Sequence, residues 1–371
     1  MSIPASDLGS PTSHRLDLDA LAATCGIDHL GVAPVEVFAR TRAELFERRA
    51  AGLHADMQFT YRNPDRSTDP ARVLAGARSL VVAATAYPDE VTVKPVGNRS
   101  GRIARYATVG HYDRLRLGLE ALAAHLRSLG GVTRVVFDDN ALVDREAARR
   151  AGLGDYGKNA NLLLTGAGSW FVLGSVLTDL LLDPTPRRAA DPCGACRRCI
   201  DRCPTGAIVA EGVVDARRCL AWLVQAGGMF PVEHRVALGD RIYGCDECQE
   251  VCPANRRPSG SVAAGDAWVD LVDILDATDA ALLDRYGSWY LADRDPAIIR
   301  RNALLALANV ADSDDPETRR VVAEALDHDR PMVRAHAVWA ARRLGLERLV
   351  DPADRHPDVA PELDRVVEAR P

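Results

Sequence analysis

Four apolar runs recur in the first half of the chain, each bounded by turn residues: DHLGVAPV, SLVVAATAY, TRVVFDD and SWFVLGSVLTDLLL. Their lengths and β-branched content predict strands or strand-bearing segments. Between the second and third lies YDRLRLGLEALAAHLRSLGG, apolar at helical spacing and stopping at Gly130, a suitable helix cap. The alternation predicts an α/β (α+β) domain over residues 15–185, preceded by a loose tail, 1–14, and followed by the Pro-rich linker DPTPRRAADP at 183–192. The pattern changes after RRPSG. DPAIIRRNALLALANV (295–310) and DRPMVRAHAVWAARRL (329–344) align at an offset of 34 residues, each an Ala-rich amphipathic helix opened by an acid and an apolar pair. A period of this size marks stacked helical repeats. We place a short helical-repeat domain at 259–350 and a second tail at 351–371. Two readings of these helices stand side by side: a binding surface for a macromolecule, or packing against the α/β domain.

Composition narrows the class only slightly. With 47% hydrophobic and 26% charged residues the chain is ordinary globular material. A net charge of −6 and a pI near 5.9 argue against a broadly basic nucleic-acid binder, though a local basic patch is compatible with both. The first residues lack the cationic start and apolar core of a secretory signal, and no run of about 18 apolar residues occurs, so a cytoplasmic, membrane-free protein is expected.

The cysteines change the picture most. Of nine, Cys25 stands alone and reads as a small buried hydrophobe; the other eight fall between Cys193 and Cys252. A reducing compartment weakens the disulfide reading and favours metal. CGACRRCIDRCP has the C-x2-C-x2-C-x3-C-P spacing of bacterial ferredoxins, in which the fourth cysteine serves the other of two clusters. The partner run GCDECQEVCP carries Cys245, Cys248 and Cys252; a complete run would begin at Ile242, and Cys219 is the spare that replaces the missing thiol. Crossed ligation gives one 4Fe-4S cluster to Cys193, Cys196, Cys199 and Cys252, and a second to Cys203, Cys219, Cys245 and Cys248. The competing reading is two zinc ions, which usually take paired C-x2-C knuckles. Residues 186–258 are the ferredoxin-like domain.

CGACRRCIDRCPTGAI, VDARRCLAWL, DRIYGCDECQEVCPANR, DREAARRAGLGDYGKNANLLL and GSWFVLGSVLTDL together resemble the epoxyqueuosine reductase family, over about residues 15–345. The resemblance implies a cobalamin-binding α/β domain, a double-cluster ferredoxin-like domain and HEAT-like helical repeats. It also implies reduction of epoxyqueuosine to queuosine at the wobble position of tRNA. Partners implied are a tRNA with a GUN anticodon and a low-potential electron donor, with the chain as a monomer.

The same resemblance assigns residues. Asp138 matches the family's proton donor, and it closes the strand-like RVVF run, where open α/β sheets place ligands. Asp139 competes with it, and Asp138, Asp139 or Asn140 could instead cap the next helix. Arg62, Lys158, Asn159, Gly168 and Ser169 match positions near the cobalamin. Arg105 and Tyr106 match a segment whose following Asp-Tyr-His stands here as His111, Tyr112 and Asp113, with acid and imidazole exchanged. Val224 and Ala226 replace a Thr and a Glu common in the family. Arg241, Tyr243, Arg300, Arg301 and Asn302 are candidate tRNA contacts, by phosphate pairing and base stacking. A corrinoid reductase of small molecules, similar to reductive dehalogenases, and a non-catalytic electron carrier are the alternatives.

Overall fold

The computed structural model describes residues 14–87, 92–97, 99–108, 110–186, 191–256 and 266–368. The N-terminal tail to residue 13, linker residues 187–190 and the expected domain boundary at 258/259 lie outside the described residues. In chain order the strands are β1 (His29–Pro34), β2 (Ser79–Ala86), β3 (Ser100–Ile103), β4 (Thr133–Phe137), β5 (Gly154–Tyr156), β6 (Leu162–Leu164), β7 (Phe171–Thr178), β8 (Ile208–Ala210), β9 (Val213–Val214), β10 (Arg241–Tyr243) and β11 (Trp268–Asp270). Two compact units divide the chain. The first comprises Met1–Ala86, His111–Gly157 and Asn161–Gly194; the second comprises Tyr87–Gly110, Lys158–Ala160 and Ala195–Pro371.

The first unit is built on a sheet of order β1-β2-β7-β4, antiparallel at every step. The mixed α/β (α+β) class stands, but the ligand rule for open parallel sheets does not apply here, so the placement of Asp138 must be argued from its own loop. All eight residues of β2 are buried, which requires cover on both faces of the sheet. The register supplies it. Gly31 lies beside Val82 and Val82 beside Ser175, so Gly174 points to the opposite face from Gly31. A Cβ on Gly31 would sit 2.2 Å from the carbonyl oxygen of Ala151, at the end of the helix Asp144–Arg150; one on Gly174 would meet Leu119 of the helix His111–Ser128 at 2.6 Å. The two helices therefore cover opposite faces. Gly31→Ala is expected to force strand and helix apart and to destabilise the first unit by about 1–3 kcal/mol, read from its urea midpoint.

In the second unit the helix Ala297–Val310 is the centre. Twelve of its residues, Ala297 through Ala308, are buried, the signature of a helix enclosed on every side. It packs on the helices Pro331–Arg343, Leu271–Asp276 and Val232–Leu238, and on β10 and β3. The core around it joins Leu220, Leu223 and Ile242 of the cysteine-bearing segment to Leu304, Leu307 and Trp339 of the helices. The repeat helices thus share one core with the ferredoxin-like chain. β10, β3 and β11 form a small sheet in the same unit. Arg235 and Glu362, 1% and 2% exposed, close a bidentate ion pair of 2.8 and 2.9 Å in this unit. Among the described residues no helix is long and apolar enough to cross a membrane.

Candidate active site

In the first unit Asp138 follows directly on edge strand β4 and takes φ +45°, a left-handed conformation that costs a non-glycine residue energy and that Asp and Asn tolerate best. The loop it opens is held at both ends. Asp139 Oδ1 accepts the Ala141 N–H at 2.9 Å, and the Val143 N–H donates to the Ser67 carbonyl at 2.9 Å. Ser67 Oγ in turn donates to the Thr60 carbonyl at 3.0 Å, which ties the acid loop to the segment bearing Arg62. Arg62 is exposed, its backbone N–H donating to Gln58 and Phe59 carbonyls.

Desolvation first, and the neighbouring Asp139 second, raise the Asp138 carboxyl above its ordinary value. The residue is exposed as a whole, which limits the rise. Six residues on, Asp144 is raised much further, by burial and then by Asp138. Its Oδ1 and the Asn140 Oδ1 are buried without a hydrogen-bond partner. The sequence reading passed over Asp144, because an acid in the first turn of a helix is ordinary dipole complement. Here it is half of a carboxyl pair, Asp138 with Asp144, that resists double ionisation.

Asp144→Asn removes an acid that burial and the neighbouring Asp138 charge keep protonated. Turnover that needs protonated Asp138 falls as pH rises, and in this variant that alkaline limb is expected to stay where it is, since burial and Asp139 set the Asp138 carboxyl. Folding follows the same sign: a raised acid binds its proton more tightly in the folded state, so the stability it contributes is lost as pH rises from the ordinary carboxyl range through the raised value. The variant should flatten that slope in pH-dependent melting.

Gly168, at φ +80°, and Ser169 form a tight buried turn after β6, in which the Leu164 N–H donates to the Gly168 carbonyl at 2.7 Å. The partnerless acceptors of Asn140 and Asp144 fit a group whose rim carries amide donors, as a corrinoid does. His111 begins its helix as a buried residue, with Asp113 paired to Arg116 at 3.7 Å.

The second unit holds seven of the nine cysteines; Cys25 and Cys193 fall in the first. All nine cysteines are free, and Cys25, on the first unit's helix Leu18–Cys25, is half-buried. The helix Arg198–Arg202, carrying Cys199, packs on the helix Glu247–Glu250, carrying Cys248. Burial raises the Cys248 thiol strongly, and Cys245, Cys219 and Cys199 raise it further, so these four sulfurs share one neighbourhood. Burial likewise pushes Cys245 up to about 11. Buried thiols that raise one another this way give up their protons only to a cation, which suits a thiolate-bound iron-sulfur cluster. Cys203 Sγ accepts the Ala207 N–H at 3.2 Å. Among the described residues no three His, Cys, Asp or Glu side chains are grouped so as to hold a single metal ion. Gly244, left-handed at +72° with Ala104 2.4 Å from any added Cβ, turns the chain into Cys245.

Lys158 and Asn159 belong to this unit. Lys158 pairs with Glu211 at 2.7 Å, and Asn159 Nδ2 donates to the Cys248 carbonyl at 3.2 Å.

The five candidate tRNA contacts are all buried in the second unit. Arg241, 8% exposed, donates to the Leu238 carbonyl at 2.8 Å and to Glu247. Tyr243, 3% exposed, stacks on Trp289 at 4.2 Å, its hydroxyl accepting the Tyr290 N–H. Arg300 is committed to Asp279 and the Ala277 carbonyl. Arg301 and Asn302, each 1% exposed, are spent on backbone carbonyls. Sequence could not reveal this, since an Arg on an Ala-rich helix looks the same whichever face is covered.

Family models match the 4Fe-4S double cluster binding domain at residues 192–255 and HEAT repeats at 288–364. An epoxyqueuosine reductase from Bacillus anthracis is 32% identical over 89% of this chain and 89% of its own, and one from Staphylococcus aureus 33% identical over 88% and 87%. The crystal structure of an epoxyqueuosine reductase with an epoxyqueuosine-modified tRNA-Tyr stem loop superposes with TM-score 0.84 at 28% identity, covering 94% of this chain and 96% of that one. A Bacillus subtilis epoxyqueuosine reductase solved with its catalytic aspartate loop swung out of the active site matches with TM-score 0.83 at 28% identity, again over 94% and 96%. On this identity, sustained along nearly the whole chain, the protein belongs to the epoxyqueuosine reductase family.

Proposed function

We propose that this chain reduces epoxyqueuosine to queuosine at the wobble position of tRNA, with two 4Fe-4S clusters and cobalamin as its cofactors. The observation that carries the reading is a double cysteine run completed by Cys219, on a chain matching along 94% of its length a protein solved with an epoxyqueuosine-bearing stem loop. The reaction removes the epoxide oxygen as water and leaves an alkene, consuming two electrons and two protons. Iron-sulfur clusters pass electrons singly. When bound, cobalamin supplies a two-electron nucleophile for the epoxide carbon.

The chain's own residues do the rest. Asp138 holds the proton that the opening oxygen takes up, and its raised carboxyl keeps a protonated fraction available nearer neutrality. Arg62, Gly168 and Ser169, with the open acceptors of Asn140 and Asp144, hold the corrinoid in the first unit. Cys193, Cys196, Cys199 and Cys252 hold one cluster; Cys203, Cys219, Cys245 and Cys248 hold the other. Lys158 and Asn159 serve the second unit, where Asn159 steadies the Cys248 backbone. A tRNA with a GUN anticodon, a low-potential electron donor, a monomeric state and a cytoplasmic location complete the reading.

The test is anaerobic turnover with a chemical reductant on three substrates: an epoxyqueuosine stem loop, the free nucleoside and a halogenated phenol. Conversion of the stem loop well above the others supports the proposal. Reduction of only the small molecules overturns it.

A further inference from the structure

The helical repeats were left with two readings, and a set of hydrogen bonds in the second unit points to a third. Arg301 donates to the carbonyls of Leu223, Ala226 and Gly228 at 2.9, 2.8 and 2.7 Å. Asn302, its neighbour, donates to the carbonyls of Val224 and Ile242 at 2.8 and 2.9 Å and accepts from Arg301 at 2.9 Å. One helical turn pair further along, Asn309 donates to the carbonyls of Arg235 and Gly239 at 2.8 and 3.2 Å. The second repeat helix joins in, for His336 Nε2 accepts the Phe230 N–H at 3.1 Å.

Every one of these backbone groups lies between Cys219, the ligand that stands outside the compact runs, and Cys245, the first cysteine of the second run. Cys219 opens the short helix that ends at Leu223, and Ile242 lies three residues before Cys245. The intervening segment carries the short helix Leu220–Leu223, the helix Val232–Leu238 and β10, joined by turns. Beside the apolar core that both ends share, one side-chain pair on the helix Ala297–Val310 hydrogen-bonds to both: Arg301 and Asn302 grip the Cys219 end, and Asn302 grips the Cys245 end as well. Among the described residues no carboxylate pairs with Arg301, whose guanidinium is satisfied by backbone and by Asn302. Burying an Arg in this way is costly, and ordinary packing does not require it. The hydrogen-bond network explains the expense.

We infer that Arg301 and Asn302 are positioning residues for the second 4Fe-4S cluster, holding the main chain of Cys219 and Cys245 at the separation the cluster needs. The first repeat helix is then part of the redox site. This is the outer-shell role familiar from other metal centres, exerted here on the backbone of the ligands. Val224 and Ala226, which stand where the resemblance has Thr and Glu, both serve the network through their carbonyls.

The inference rests on the two-cluster reading, and the experiment separates the two. Asn302→Ala, Arg301→Lys and the control Val322→Ala are purified anaerobically beside the wild type. Val322 is buried in the same core on the helix Pro316–Leu326, which packs mainly on the helices Pro331–Arg343 and Leu271–Asp276, and reports generic destabilisation. Iron and sulfide are counted, the reduced protein is examined by electron paramagnetic resonance, and iron release to a chelator is timed. The expected result is a wild type and a control with both clusters, while Asn302→Ala and Arg301→Lys keep the first cluster and release the second about 10–100-fold faster or lack it, at unchanged helix content. Arg301→Lys keeps the charge without the fork, so it separates hydrogen-bond geometry from electrostatics and covers the case in which Asn302→Ala fails to fold. If both variants retain two clusters with wild-type release, or if Val322→Ala loses iron equally, the inference is overturned. A wild type without iron would instead overturn the two-cluster reading itself.

Discussion

Asp138→Asn is expected to lower turnover of an epoxyqueuosine stem loop by about 10²–10⁴-fold, the range general acid catalysis contributes, with iron and corrinoid content unchanged. The substitution is chosen for what it preserves. Asn matches Asp in size and tolerates the left-handed conformation at φ +45° equally well, so the loop after β4 keeps its course. Only the transferable proton is lost. Asp139→Asn is the control: the Asp139 Oδ1 serves as acceptor for the Ala141 N–H, a task the amide oxygen of Asn can perform. That variant should turn over within a few-fold of wild type, with its alkaline limb shifted to lower pH, because Asp139 contributes to the raised Asp138 carboxyl. Single-turnover product analysis decides. Loss in Asp139→Asn with activity kept in Asp138→Asn would move the acid one residue along.

How much could be read from sequence follows from how local each feature is. β1, β2, β4 and β7 fall inside the four apolar runs; β2 and β7 read as continuous apolar stretches because they are buried on both faces, and β4 by its β-branched pair Val135 and Val136 at the sheet edge. Both repeat helices fall inside the echoed segments at 295–310 and 329–344, as two copies of one pattern state their period directly. Pairing is not local. β7 slots between β2 and β4, and nothing in the run SWFVLGSV says so. The cysteines are legible because cluster ligation constrains spacing along the chain, whereas the burial of Arg301 and Asn302 is not, because their partners lie some 60 to 78 residues away in sequence. Asp144 escaped notice for the same reason: the acid itself is visible, but its burial is made by tertiary packing. The carboxyl ladder and the buried guanidinium are the places where folding energy is spent rather than gained, and such places carry function more often than the well-satisfied core does.

Cys248→Ser is expected to abolish tRNA turnover and to halve the iron, from about eight to about four per chain, since each 4Fe-4S cluster takes four thiolates. Cys248 is the severest test of the ligand assignment, because its thiol feels Cys245, Cys219 and Cys199 together and its carbonyl is held by Asn159. Serine keeps the backbone and the hydrogen bond to that carbonyl but offers a hydroxyl that ionises far less readily than a thiol. The surviving cluster should still appear in the reduced spectrum, which distinguishes loss of one centre from collapse of the unit. Cys25→Ser, in the first unit and half-buried at a helix end, should keep both clusters and full turnover. Crossed ligation adds a sharper expectation. Cys252 follows Cys248 by four residues yet belongs to the other cluster, so Cys252→Ser should remove the centre that Cys248→Ser leaves, and the two residual spectra should differ. Identical residual spectra would mean that each run closes on its own cluster, with Cys219 as the fourth ligand of the second run.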